Sequence, residues 1–124
     1  MGNKIVIIDD EVDVMKMLIY RLKAKGYEVF CADNGHQGIE VVNKESVDLV
    51  ILDYRLPDLK GNEIASFIKQ KKDIPIILIT ASTENIEEKR KECLADSYIL
   101  KPIEPEELYP AVEKFLKGVH PEQG

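Results

Sequence analysis

Aliphatic residues gather in short unbroken runs along the chain: Ile5-Val6-Ile7-Ile8, Leu49-Val50-Ile51-Leu52, Ile74 to Ile79, and the shorter Ser97-Tyr98-Ile99-Leu100. Runs that are continuous, not alternating, predict strands buried on both faces, as the inner strands of a parallel sheet are. Tyr27 to Ala32 reads as one further strand. Between the runs the apolar period lengthens. Val12, Met15, Ile19 and Leu22 recur at helical spacing, and Gly26 stands where a helix end favours a left-handed residue. Ile39 and Val42 mark a short helix after an Asn34-Gly35 turn, and Ile64, Phe67 and Ile68 mark a third. Asn85 to Leu94 has helical propensity, but its run of charges leaves only Ile86, Cys93 and Leu94 to bury, which predicts a weakly anchored helix. Leu108, Ala111, Val112, Phe115 and Leu116 form the stripe of a last helix. Pro105 suits its first position and Pro110 does not, so that helix is expected either to start near Tyr109 or to kink there.

Five strands alternating with five helices predict an α/β domain whose five-stranded parallel sheet carries helices on both faces. Right-handed crossovers then bring every strand's carboxyl end to one edge, where open α/β sheets bind ligands. The polar residues fall there. The first strand ends in Asp9-Asp10-Glu11, the third in Asp53, the fourth in Thr80 and the fifth in Lys101. Each alone has a plain structural use: a helix cap for Asp9 or Asp10, a turn for Asp53, a cap for Thr80, a solvated charge for Lys101. Their convergence on one edge favours chemistry.

Crowded carboxylates repel unless a cation joins them or one pKa rises. An all-oxygen set without histidine suits a hard divalent ion such as Mg²⁺. Such an ion tolerates phosphate oxygens; Lys101 is placed to neutralise a phosphoryl group and Thr80 to donate a hydrogen bond to it. An ionised Asp53 needs no base to act as nucleophile, which makes an aspartyl phosphate reasonable.

Composition narrows the picture. A chain of 124 residues is one domain, expected over 1–118 with a polar tail over 119–124 and nothing ahead of the first strand. Its 17 basic and 23 acidic side chains give a net charge of −6, which disfavours nucleic acid and anionic lipid as direct partners. Cys31 and Cys93 are expected to be reduced core residues, and with no signal peptide or membrane-spanning run a soluble, cytoplasmic protein is expected. His36 and His120 lack partners at ligand spacing, and the basic residues at 69, 71, 72 and 89 to 91 read as solvated helix faces. Gly35 and Gly38 belong to no nucleotide-binding pattern.

Taken together, Ile8-Asp9-Asp10-Glu11, Leu52-Asp53-Tyr54-Arg55-Leu56-Pro57 with Gly61, Ile79-Thr80-Ala81 and Tyr98-Ile99-Leu100-Lys101-Pro102 resemble the receiver domain of two-component response regulators from Lys4 to about Leu116. The resemblance implies a flavodoxin-like (βα)5 fold with Asp53 as phosphoacceptor, supplied by a sensor histidine kinase or a phosphotransfer protein. It implies Mg²⁺ held by Asp10, Asp53 and the backbone carbonyl of Arg55, with Asp9 helping through water. Thr80 and Tyr98 would be the switch pair and Lys101 the phosphate partner, before a cis peptide to Pro102. Partners would meet the face made by the fourth helix, fifth strand and fifth helix, in a phosphorylation-linked dimer or on a downstream output domain or protein. Activity would be limited to self-catalysed phosphoryl transfer and autodephosphorylation, with Arg55 and Ser82 tuning the lifetime of the phosphoryl group. The chain departs from the family in having Leu94-Ala95 where Gly-Ala is usual, which predicts a reshaped loop, and in Pro110, which predicts an altered dimer face. A phosphohydrolase working through an aspartyl phosphate is the alternative enzyme, but it would want a carboxylate where Arg55 stands. A passive interaction module is the other alternative, and the retained Asp9, Asp10, Asp53, Thr80 and Lys101 speak against it.

Overall fold

The computed structural model describes residues 3–116. The strands are β1 (Lys4–Ile8), β2 (Glu28–Ala32), β3 (Leu49–Asp53), β4 (Ile76–Thr80) and β5 (Ser97–Leu100). They alternate with α1 (Val12–Ala24), α2 (Gly35–Lys44), α3 (Gly61–Lys71), α4 (Ile86–Glu92) and α5 (Pro105–Phe115). All pairings are parallel, in the order β2-β1-β3-β4-β5. The flavodoxin-like α/β expectation is met. The polar tail over 119–124, and His120 within it, lie outside the described residues.

The unbroken aliphatic runs are explained by two cores, one on each face of the sheet. Alternate residues of one strand serve different sides: Ile5, Ile7, Leu49 and Ile51 pack with Leu18 and Leu22 of α1 and with Leu108 and Val112 of α5. Val6, Ile8, Val50 and Leu52 pack with Val42 of α2 and with Ile64 and Ile68 of α3. Every residue of β3 and β4 is buried, which a period-two surface strand would not allow. Gly38 lets α2 lie directly on β1, since a Cβ there would fall 2.5 Å from Ile8 Cδ1. Gly26 takes φ 93 at the end of α1, as its position predicts.

Several expectations are corrected at the periphery. Cys31 is exposed, because β2 is an edge strand with one open face, whereas Cys93 is buried. Val12, Phe67 and Leu94 are exposed, although each fits an apolar stripe. α5 starts at Pro105 and runs through Pro110, not from Tyr109, because Leu108, Val112 and Leu116 on its inner side are all buried. Asn34 and Gly35 form a helix start, not a free turn: Asn34 Oδ1 accepts from Gln37 N at 2.9 Å. The same helix is fastened from a distance, because Asp58 accepts from Gly35 N (2.7 Å) and His36 N (2.9 Å) and pairs with His36 Nδ1 (2.6 Å). Burial works against the Asp58 charge, but these bonds outweigh it and hold its pKa below the usual carboxylate range. Lys72 is no solvated charge; its Nζ donates to the carbonyls of Val42 (2.8 Å) and Glu45 (3.3 Å) at the end of α2.

α4 is the loosest element by construction. None of its own residues is buried, and non-glycine residues with positive φ flank it, Asn85 at 53° and Leu94 at 51°. Leu94 therefore turns the chain in the left-handed conformation that glycine adopts without steric cost. Leu94→Gly is expected to raise stability by about 0.5–1 kcal/mol, the relieved strain less the extra entropy of the unfolded chain. The check is a higher urea midpoint at unchanged slope; a lower midpoint would show that packing of the Leu94 side chain outweighs the strain.

Candidate functional site at the carboxyl edge of the sheet

The sheet's hydrogen-bond ladder continues one residue beyond three of its strands, and this sets the site. Asp9 N donates to Ala32 O (3.1 Å), Tyr54 N to Ile79 O (3.1 Å), and Lys101 N to Thr80 O (2.8 Å). The backbones of Asp9 and Lys101, and of Asp53 as the last residue of β3, are thus held at the precision of the sheet, not of a loop. Lys101 is joined to Pro102 by a cis peptide bond, as the resemblance implies. Asp10, Glu11, Asp53, Arg55, Thr80, Ala81, Ser82 and Lys101 line one cleft of about 400 Å³.

Asp9 is fully buried and Asp53 and Thr80 nearly so, while Asp10 is exposed. One carboxylate oxygen from each of Asp9, Asp10 and Asp53 lies within 4.8 Å of the others. Lys101 Nζ enters this cluster, 3.0 Å from Asp9 Oδ2 and 3.4 Å from Asp53 Oδ2, and it also donates to Glu11. The contact with Asp9 is an ion pair off the hydrogen-bonding angle, so Asp9 Oδ2 is buried with charge compensation and no hydrogen bond. Asp9 Oδ1 accepts from Glu11 N (2.8 Å), and Asp53 Oδ1 from Arg55 N (3.3 Å). A buried carboxylate oxygen lacking a hydrogen bond, within a cluster of oxygen donors, fits a hard divalent cation.

The charges shift each other's protonation. Burial and the neighbouring Asp9 charge push the Asp53 pKa up to about 6, against the pull of Lys101 and the Arg55 N–H. Burial disfavours the Lys101 ammonium, but its bond to Glu11 and the nearby charges of Asp9 and Asp53 outweigh that and hold it above the usual lysine range. Burial, with Glu92 adding to it, pushes the Cys93 thiol up to about 12, which leaves it unreactive.

Of the residues named from sequence, Asp10, Asp53, Arg55, Thr80 and Lys101 line the cleft, and Asp9 lies beneath it in contact with Lys101. Tyr98 stands apart from them. It is half-buried against the core on the α2 and α3 side, in register with Leu78, two residues before Thr80. Thr80 Oγ1 accepts from Ser82 N at 3.3 Å. Two residues gain a role only from the structure. Glu11 reaches Lys101, and the only sequence signal for it is its place in a third consecutive acidic position. The Tyr54 hydroxyl donates to Glu92 (3.4 Å), and Lys89 Nζ lies 4.9 Å from its ring centre, joining α4 to the residue after Asp53.

The model of the response regulator receiver domain matches residues 5–113 of this chain. Among solved structures, the chemotaxis protein CheY4 of Vibrio cholerae is 26% identical with a TM-score of 0.87, covering 94% of this chain and 100% of that one. The response regulator TrrA of Thermotoga maritima, solved in complex with Mg²⁺ and BeF, is 34% identical with a TM-score of 0.84 over 92% and 99% of the two chains. The receiver domain of a sensor histidine kinase of Pseudomonas aeruginosa, with magnesium coordinated in its active site cleft, is 25% identical with a TM-score of 0.81 over 93% and 98%. No helix among the described residues is long and apolar enough to cross a membrane.

The raised pKa of Asp53 predicts a pH signature. Between its ordinary value of 3.8 and about 6 the folded chain binds more protons than the unfolded one. Without metal, the stability associated with Asp53 is therefore full below the lower value and is lost as pH rises through the upper one. Asp53→Asn removes the penalty, so the variant's advantage over wild type in EDTA is expected to grow by about 2 kcal/mol from about pH 4 to about pH 7.5. Urea midpoints at the two pH values measure it; an advantage that does not change with pH would place the Asp53 pKa near its ordinary value.

Proposed function

The chain belongs to the response regulator receiver family of two-component signalling, and on that premise we propose that Asp53 accepts a phosphoryl group from the phosphohistidine of a sensor kinase or phosphotransfer protein. The observation that carries this reading is the placement of Asp53: it ends a fully buried strand, in a cleft it shares with Asp10, Thr80 and Lys101. A nucleophile so placed is open to an incoming phosphorus and rigid in every other direction.

A bond forms from an Asp53 carboxylate oxygen to phosphorus as the bond from phosphorus to the donor's ring nitrogen breaks, and the electron pair stays with the imidazole. Ionised Asp53 has no proton to shed, so no general base is needed. Lys101 offsets the charge on the transferring group and the Thr80 hydroxyl donates a hydrogen bond to one of its oxygens. Asp10, Asp53 and the Arg55 carbonyl would hold Mg²⁺, with Asp9 acting through water, and the ion would supply neutralising charge to carboxylates and phosphoryl oxygens alike. Support for the metal comes from the three clustered carboxylates and the buried Asp9 oxygen without a hydrogen bond.

The switch follows from the same arrangement. Thr80 moves toward the phosphoryl oxygen, and Tyr98, on the neighbouring strand β5 in register with Leu78, turns to fill the space. α4, with no buried residue of its own, shifts at low cost, and the surface of α4, β5 and α5 changes what it binds. The module acts in the cytoplasm as a self-catalysed phosphoacceptor, its output carried by a further domain, a protein partner or a dimer.

Incubation with a small acyl phosphate and Mg²⁺ is expected to add the mass of one phosphoryl group, which EDTA prevents and Asp53→Asn abolishes. Intact-protein mass spectrometry reads the result. Equal labelling of the variant would remove Asp53 from the role of acceptor.

A further inference from the structure

Three carboxylate oxygens crowd the Lys101 ammonium in this structure: it donates to Glu11 Oε1 and Asp53 Oδ2 and is ion-paired with Asp9 Oδ2. A phosphoryl oxygen that takes the ammonium as its partner must therefore displace one of the three. Asp9 is the costliest to release, because its side chain is 0% exposed and its Oδ2 has no hydrogen bond. Asp53, 9% exposed, is the acceptor itself and stays beside the group it receives. The Glu11 side chain is 57% exposed, so water takes over its solvation once Lys101 departs.

The local backbone suits such an exchange. Glu11 N donates to Asp9 Oδ1 (2.8 Å), and Glu11 O accepts the first helical bond of α1, from Met15 N (3.0 Å). The main chain is thereby held at both ends of the residue while the side chain stays free to swing. Glu11 occupies the N-cap position of α1 yet makes no capping bond there; its carboxylate is turned to Lys101 instead. It lines the cleft that also holds Asp53, Thr80 and Ser82.

We propose that Glu11 is the exchangeable counter-ion of Lys101, holding the ammonium in the resting site and yielding it to the incoming phosphoryl group. This rests on Asp53 as the phosphoacceptor. Glu11 is thus a positioning residue that competes with the phosphoryl group, setting how readily the site fills without taking part in bond making.

Three chains test it: wild type, Glu11→Gln and Glu11→Asp. Each is titrated with beryllofluoride, a tetrahedral phosphoryl mimic, in saturating Mg²⁺, and labelled with a small acyl phosphate. Glu11→Gln is expected to lower the half-saturating beryllofluoride concentration about two- to fivefold, the scale of one partly exposed ion pair, with the advantage shrinking at high salt. Glu11→Asp keeps the charge on a stem one methylene shorter, so it should follow Gln if direct contact with Lys101 is the cause. If it follows wild type, general repulsion is the cause and the proposal falls. In the resting, metal-free protein, the ¹⁵Nζ resonance of Lys101 should move in both variants, independently of any phosphoryl chemistry. Unchanged half-saturation in Glu11→Gln, weaker binding, or an unmoved Lys101 resonance would each overturn the proposal. If wild type neither binds beryllofluoride nor labels at Asp53, the phosphoacceptor reading falls and this inference with it. Normal Asp53 labelling with an unaffected Gln variant overturns the role of Glu11 alone.

Discussion

The ammonium of Lys101 lies 3.0 Å from Asp9 and 3.4 Å from Asp53, and the carboxyl edge of the sheet depends on that single positive charge. Asp9 is fully buried and Asp53 nearly so; without Lys101 the two carboxylates would be uncompensated like charges in a poorly solvating site. Even with it, Asp53 is pushed to about 6. Compensation by one ammonium is thus incomplete, and that residual deficit of positive charge supports the proposed reading of a site suited to a cation and a phosphoryl group.

The deficit is sustained because the framework cannot relax. Ladder bonds that continue past the strand ends fix the backbone of Asp9 and Lys101, and an apolar core lies on each face of the sheet behind them. The crowded charges thus sit on the stiffest part of the scaffold. The neighbouring α4 is built in the opposite way, with no buried residue of its own and a non-glycine left-handed residue at each end. Tyr54, adjacent to Asp53, reaches α4 through Glu92 and Lys89, so the rigid site and the loosely held helix are in direct contact.

The legible part of the sequence was whatever depends on full burial. β3 and β4 are apolar without interruption because both faces are covered, and such runs admit one reading. Asp9, Asp10, Asp53, Thr80 and Lys101 were legible for the complementary reason: they interrupt that pattern at its end. The errors fall where burial is partial. Cys31 lies on an edge strand, and Val12, Phe67 and Leu94 sit at the margins of helical stripes; periodicity assigns a side chain to a face but does not say how far the neighbouring element extends over it. Lys72 and Asp58 make long-range bonds to backbone groups of α2 that no local pattern encodes.

The alternation of strands and helices, the two-sided core and the set of polar residues at one edge were legible in the sequence alone, because apolar period and strand-end chemistry are local properties of the chain. Tertiary structure alone decided that Lys101 sits among Asp9, Asp53 and Glu11, that Asp58 holds the start of α2, and that Tyr54 touches α4. These are distances between groups far apart in the chain, set by how the strands register and how closely the helices lie on the sheet. Glu11 shows the division most plainly: in the sequence it is the last of three acids, and only the return of β5 beside β4 brings Lys101 to it.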